Sequence, residues 1–135
     1  MFNMTLNNDE IVDMFNSLGA SVAVLDENMN MMYMNEKARW FYKTVFGAGN
    51  ILGKDVSACH EPVNIKNIKG LFEQFKAGKP FSFFHAAPPM IEGGQITVLH
   101  FPYKKDGEVI GIMEINIESS LLEGGRCEYE RTTCS

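Results

Sequence analysis

Three histidines, His60, His85 and His100, and three cysteines, Cys59, Cys127 and Cys134, carry most of the chemistry open to this 135-residue sequence. A neutral imidazole is a frequent metal ligand and titrates near neutral pH. A thiolate becomes a nucleophile or soft ligand once a positive neighbour lowers its pKa. No spacing commits any of the six. C-x-x-C is absent, so neither a zinc knuckle nor a thioredoxin-like site is signalled, and without C-x-x-C-H there is no covalent c-type haem attachment. An odd, unevenly spaced set of cysteines does not read as a disulfide framework. G-x-S-x-G, Walker, H-E-x-x-H and G-x-G-x-x-G motifs are all missing. The acid pairs Asp9/Glu10 and Asp26/Glu27 fall at a helix start and a turn, where carboxylates cap backbone N–H groups. The chain reads as a non-enzyme.

Each candidate also has a plain structural role. His85 and His100 lie in strand-like stretches among aromatic and aliphatic residues. There they read as hydrogen-bonded sheet histidines, with metal or haem ligation as the secondary reading. Cys59 has no visible context that would lower its pKa and reads as a buried inert thiol. His60 is either a ligand or a cap at the start of a helix. Net charge is −5 and the lysines are scattered, which argues against direct nucleic-acid binding. No apolar run is long enough to span a bilayer, and no basic N-terminal segment precedes an apolar one, so a cytoplasmic location is expected.

Hydrophobic periodicity supplies the elements that would position these groups. Asp9 to Leu18 reads as a helix started at Asn8 and stopped at Gly19. Ser21–Leu25 and Met31–Met34 form a strand pair across the turn Asp26-Glu27-Asn28. Glu36–Phe46 reads as a helix capped by Asn35 and closed by Gly47, and Ile51–Ser57 as a connection. Ile65, Ile68, Phe72 and Phe75 make one helical stripe, with Pro62 just before it and Gly78 ending it. Strands follow at Phe81–Ala87, Gln95–Tyr103 and Glu108–Ile117, the last with Val109, Gly111, Met113, Ile115 and Ile117 on one face. Asp106-Gly107 marks the final turn. The expected fold is α+β, a five-stranded antiparallel sheet with helices packed on one face. Residues 1–8 are expected to form an N-terminal segment, 9–120 the domain and 121–135 a tail or linker.

This order resembles a PAS domain. Val22-Ala23-Val24-Leu25-Asp26-Glu27-Asn28 followed by Tyr33-Met34-Asn35 is similar to the PAS opening, whose Asn tethers the next helix. Gly53-Lys54-Asp55-Val56 and the final Asp106-Gly107 with Gly111 also match. Ala58-Cys59-His60-Glu61-Pro62 is similar to the C-H-P element of two PAS subgroups, one associated with hemerythrin-like domains and one haem-binding and carbon-monoxide-sensing. Glu61 stands here where that pattern has proline. The N-C-R-F-L-Q-like motif of light-sensing relatives is absent.

The resemblance implies a sensory module that binds a small ligand or cofactor, with haem b the candidate. His60 would be the proximal iron ligand and Met90 the opposite one. Trp40, Phe41, Ile65, Ile68, Phe72 and Phe101 are expected to line the pocket or fill the core around it. The module would signal as a homodimer or through an attached effector, with no membrane contact. The competing reading is a ligand-free dimerisation module.

Overall fold

The computed structural model describes residues 5–59, 62–88 and 94–122. Helix α1 (Asn8–Asn16) starts on a capping box. Asn7 Oδ1 accepts from the Glu10 N–H at 2.9 Å, and Glu10 Oε1 accepts from the Asn7 N–H at 3.1 Å. Two N–H groups that the helix itself leaves without partners are satisfied this way. The cap is Asn7, one residue before the expected Asn8, and the helix stops at Ser17, ahead of Gly19. None of its residues is buried.

Strands β1 (Ser21–Asp26) and β2 (Met31–Met34) form the expected hairpin. The Asp26 carboxylate closes it by accepting from the Asn28 and Asn30 N–H groups, each at 2.9 Å. Helix α2 (Glu36–Phe46) has the predicted limits because both ends are chemically marked. Asn35 caps its start, and Gly47 ends it in the left-handed region at φ 64°, open to glycine without a Cβ clash. The connection after α2 ends in a 3-10 turn, Val56–Cys59. Helix α3 (Pro62–Lys76) takes Pro62 as its first residue, a position where the missing N–H costs nothing.

Strands β3 (Ser82–Ala86), β4 (Ile96–Lys105) and β5 (Glu108–Glu118) complete the sheet. Its order is β2-β1-β5-β4-β3, and every pairing is antiparallel. Asp106 and Gly107 both have positive φ, 52° and 80°, the twist that suits a tight hairpin. A 3-10 turn, Ser119–Leu122, follows β5 where the sequence reading begins a tail.

Helix α2 packs on β1 and β2, and α3 on β4 and β5. The largest core cluster lies under α2 and contains Ala23, Leu25, Met29, Met31, Met34, Ala38, Tyr42, Ile51 and Val56. Phe72 and Phe75 form a smaller one with Ile112, and Ile65 and Ile68 pack part-buried around these clusters. The aliphatic face of β5 is not its buried one. Met113, Ile115 and Ile117 are half-buried, while Ile112, Glu114 and Asn116 on the alternate face are buried under the helices. Residues along a strand point alternately to the two faces, so the covered side of β5 is largely polar.

Candidate functional site

Side chains from α2, α3 and strands β3, β4 and β5 line a cavity of about 800 Å³ that opens to solvent. Phe41, Val45 and Phe46 come from α2, Ile68 and Leu71 from α3, and Phe84, Ile96 and Val98 from the sheet. This volume falls within the range of small-molecule sites. Its sheet side also carries His100, Glu114 and Asn116, only 5 %, 7 % and 3 % exposed.

The three polar residues form one network. Pairing of β4 with β5 puts His100 opposite Glu114, and His100 Nε2 lies 3.1 Å from Glu114 Oε2. Asn116, two residues along the same face, donates from Nδ2 to Glu114 Oε1 at 3.0 Å. From α2, the Tyr42 hydroxyl donates to the same oxygen at 3.3 Å. A buried carboxylate is strongly disfavoured unless donors surround it, and here an imidazole, an amide and a phenol do so. His100 Nδ1 is fully buried with no hydrogen-bond partner among the described residues. Its ring stacks on Phe84 with centroids 6.0 Å apart.

The residues expected at the pocket divide. Phe41 and Ile68 line the cavity. Ile65 packs part-buried against the main core. Phe72 lines a second, smaller hollow with Ile112, near the β1–β2 turn. Two residues stand elsewhere. Trp40 is 43 % exposed, with Lys37 Nζ 4.0 Å above its ring. It shares a helix face with the exposed Glu36 four residues earlier, while Phe41, one residue on, points inward. Phe101 lies on the opposite face of the sheet from its neighbour His100 and meets Phe81 at 6.1 Å. His85 is on that outer face too, its Nδ1 3.1 Å from Thr97 Oγ1. Glu114 and Asn116 were not singled out in the sequence; the signal available was their alternation with Met113, Ile115 and Ile117.

His60 and Met90, the axial pair implied by the resemblance, lie outside the described residues. Among the described lining residues His100 is the only histidine, with Nε2 engaged by Glu114 and Nδ1 enclosed. No group of three His, Cys, Asp or Glu side chains converges for a metal ion among the described residues. The described lining therefore offers haem iron no axial ligand and does not by itself fit that group.

A five-stranded antiparallel sheet with helices over a cavity on one face defines a small α+β domain. The chain belongs to the PAS domain family, whose model matches residues 11–118. The fold recurs in solved structures. The C-terminal domain of a Streptococcus mutans protein is 17 % identical with a TM-score of 0.73, the match covering 90 % of this chain and 92 % of that one. The PAS domain of BvgS from Bordetella pertussis is 18 % identical with a TM-score of 0.59, over 84 % and 90 % of the two chains. A sensory box sensor histidine kinase from Vibrio cholerae is 14 % identical with a TM-score of 0.56, over 80 % and 88 %. No curated protein matches the chain by sequence. No helix among the described residues is long and apolar enough to cross a membrane.

Proposed function

We propose that this PAS domain is a non-catalytic sensor that binds a small molecule in the cavity between its helices and sheet. The observation that carries the reading is the cavity itself, about 800 Å³ with aromatic walls and a buried polar floor. The pleat of β5 links the floor to the far side of the sheet, since Glu114 sits between Met113 and Ile115. A ligand that binds two arrangements of this strand unequally shifts their populations, and the outer face presents the result to an effector. Native mass spectrometry of gently purified protein tests the reading. A retained small-molecule mass is expected, absent from a folded Ala86→Trp variant that fills the cavity. No retained mass, together with no thermal shift across a metabolite panel, would sink it.

Two narrower readings accompany it. The domain works as a homodimer, supported by α1, which buries none of its residues and leaves Val12 and Met14 exposed. A face of this kind is commonly covered by a second copy. Sedimentation should show a dimer that removal of residues 1–18 dissociates. A monomer at high micromolar concentration rejects it. A haem would hang on His60 and Met90 alone: purified protein should then show a Soret band that His60→Ala changes, and a blank spectrum after reconstitution ends that reading.

A further inference from the structure

We infer that the open edge of β3 pairs with the β3 of a second copy, antiparallel about a two-fold axis at Phe84, and so joins two sheets into one. This goes beyond the ligand reading and does not depend on the cavity being filled.

The two edges of the sheet differ. At the β2 edge the Met31 N–H donates to the Lys54 carbonyl at 2.9 Å, and the Met31 carbonyl accepts from the Gly53 N–H at 2.6 Å. The connection after α2 blunts that edge. β3 pairs only with β4, and no other backbone hydrogen bond reaches residues 81–86 among the described residues. An edge strand in this state presents a row of unpaired N–H and C=O groups, which proteins commonly guard with charge or proline. From Phe81 to Ala87 there is no Lys, Arg, Asp or Glu. Pro80 and Pro88 stand just outside the strand, and without N–H groups they confine a new ladder to the strand itself.

The side chains select the partner. Phe81, Phe83 and Phe84 each leave roughly half of their surface in water. Turning β3 onto itself about Phe84 sets Ser82 opposite Ala86, Phe83 opposite His85, and Phe84 opposite its own mate. All five residues are then paired, and side chains directly opposite stand about 4.5–5.5 Å apart at Cβ. On the outer face Phe83 meets His85 edge-on at 6.0 Å and stacks on Phe81 at 6.3 Å, so the two copies extend one aromatic cluster. On the inner face the small Ser82 and Ala86 leave room for the two Phe84 rings. The register sets no like charges together, and a charged foreign strand would find no counter-ion on β3. Pairing consumes the β3 edge of both copies and does not propagate.

The contact is small. Stable interfaces engage about 20–30 residues a side, and β3 offers five. In free protein the pairing is therefore a millimolar event, separate from the α1 contact, and it strengthens where copies are already held together.

The test mixes isotope-labelled and unlabelled full chains at millimolar concentration and reads nuclear Overhauser effects between them. Contacts from Phe83 of one copy to His85 of the other are expected, fading on dilution. Phe83→Lys should remove them while the contacts of Phe84 with Val98, its partner across the β3–β4 ladder, persist within each chain. Phe83→Tyr should keep them. If Phe83→Lys disturbs that ladder, His85→Lys on the same exposed face replaces it under the same criteria. Wild-type protein with no contacts between copies at β3, or with contacts only at α1, overturns the inference. So does survival of the β3 contacts in the lysine variant. Hydrogen exchange identifies the other occupants: β3 amides protected at every dilution mean that the edge is covered within one copy. Protection that appears only on adding a different protein means a foreign strand, and either result overturns the pairing.

Discussion

Replacing Asn35 by alanine should cost about 4 kcal/mol, because one buried side chain ties three elements together. Asn35 Oδ1 accepts from the Val22 N–H in β1 and from the Ala38 N–H in the first turn of α2, both at 2.9 Å. Nδ2 donates to the carbonyls of Phe15 and Ala20, again at 2.9 Å each. Losing the helix cap alone costs about 1 kcal/mol. The buried Val22 N–H, left without an acceptor, adds about 1–3 kcal/mol, and the two carbonyls together add about 1 kcal/mol more. Against a total stability of about 5–15 kcal/mol this is a large fraction. Urea unfolding followed by circular dichroism measures it. Asn35→Asp sharpens the test, since it keeps both acceptor bonds and aims an oxygen at two carbonyls. That carboxyl would have its folded-state pKa raised above the unfolded value. Its variant should be most stable in acid and lose stability as pH rises toward 7. A loss below about 1 kcal/mol for Asn35→Ala, within the range of surface changes, would refute the reasoning.

Three further outcomes are expected. Phe72→Ala should cost about 3 kcal/mol, the low end for a buried phenylalanine, because Phe72 sits at the edge of a small cluster beside a hollow; a denaturation loss under about 1 kcal/mol contradicts its burial. Gly111→Ala should cost about 2 kcal/mol or more, since a β-carbon there runs into the Leu25 carbonyl oxygen across the β1–β5 ladder; an unchanged melting temperature would show that the strands yield freely. Tyr33→Phe should be neutral or stabilising, because the Tyr33 hydroxyl is buried with no partner among the described residues. Burial raises the Tyr33 pKa above its ordinary 10.0. Stability tied to its neutral form is full below 10.0 and is lost as pH climbs through the raised value, so the wild type should weaken in strong alkali more than the variant does.

The frame was legible where local chemistry marks it. Asn35 and Gly47 delimit α2 without help from the rest of the chain. Asp106-Gly107 announces the last hairpin, and the Ile65-to-Phe75 stripe announces α3. What was not legible is which side of the sheet the helices cover. Met113, Ile115 and Ile117 have the composition of a core face, yet Glu114 and Asn116 are the covered ones. Period-two alternation separates two faces but does not say which is inside, and burial of a carboxylate depends on donors supplied from other elements. His100 is in register with Glu114 through strand pairing and Tyr42 reaches it from a helix. Neither relation is a sequence spacing. Trp40 and Phe101 illustrate the same point, since aromatic character places neither of them inside.

The strand order has a kinetic consequence. β1 lies beside β5, with Ser21 opposite Asn116, so the centre of the sheet joins segments from opposite ends of the domain. The β1–β2 hairpin can close early, but one edge of β1 has no partner until β5 arrives. Long-range pairing of this kind carries a loop-closure cost before any contact repays it, and it slows folding relative to local hairpins. Until then β1, which reads Ser-Val-Ala-Val-Leu, presents an open apolar edge of the sort that pairs with foreign strands. Refolding yield should therefore fall with rising protein concentration even for a sequence whose folded state is stable. A circular permutant that joins the present ends and opens the chain at the Asp106-Gly107 turn would bring β5 and β1 closer in sequence, and it should refold faster and aggregate less.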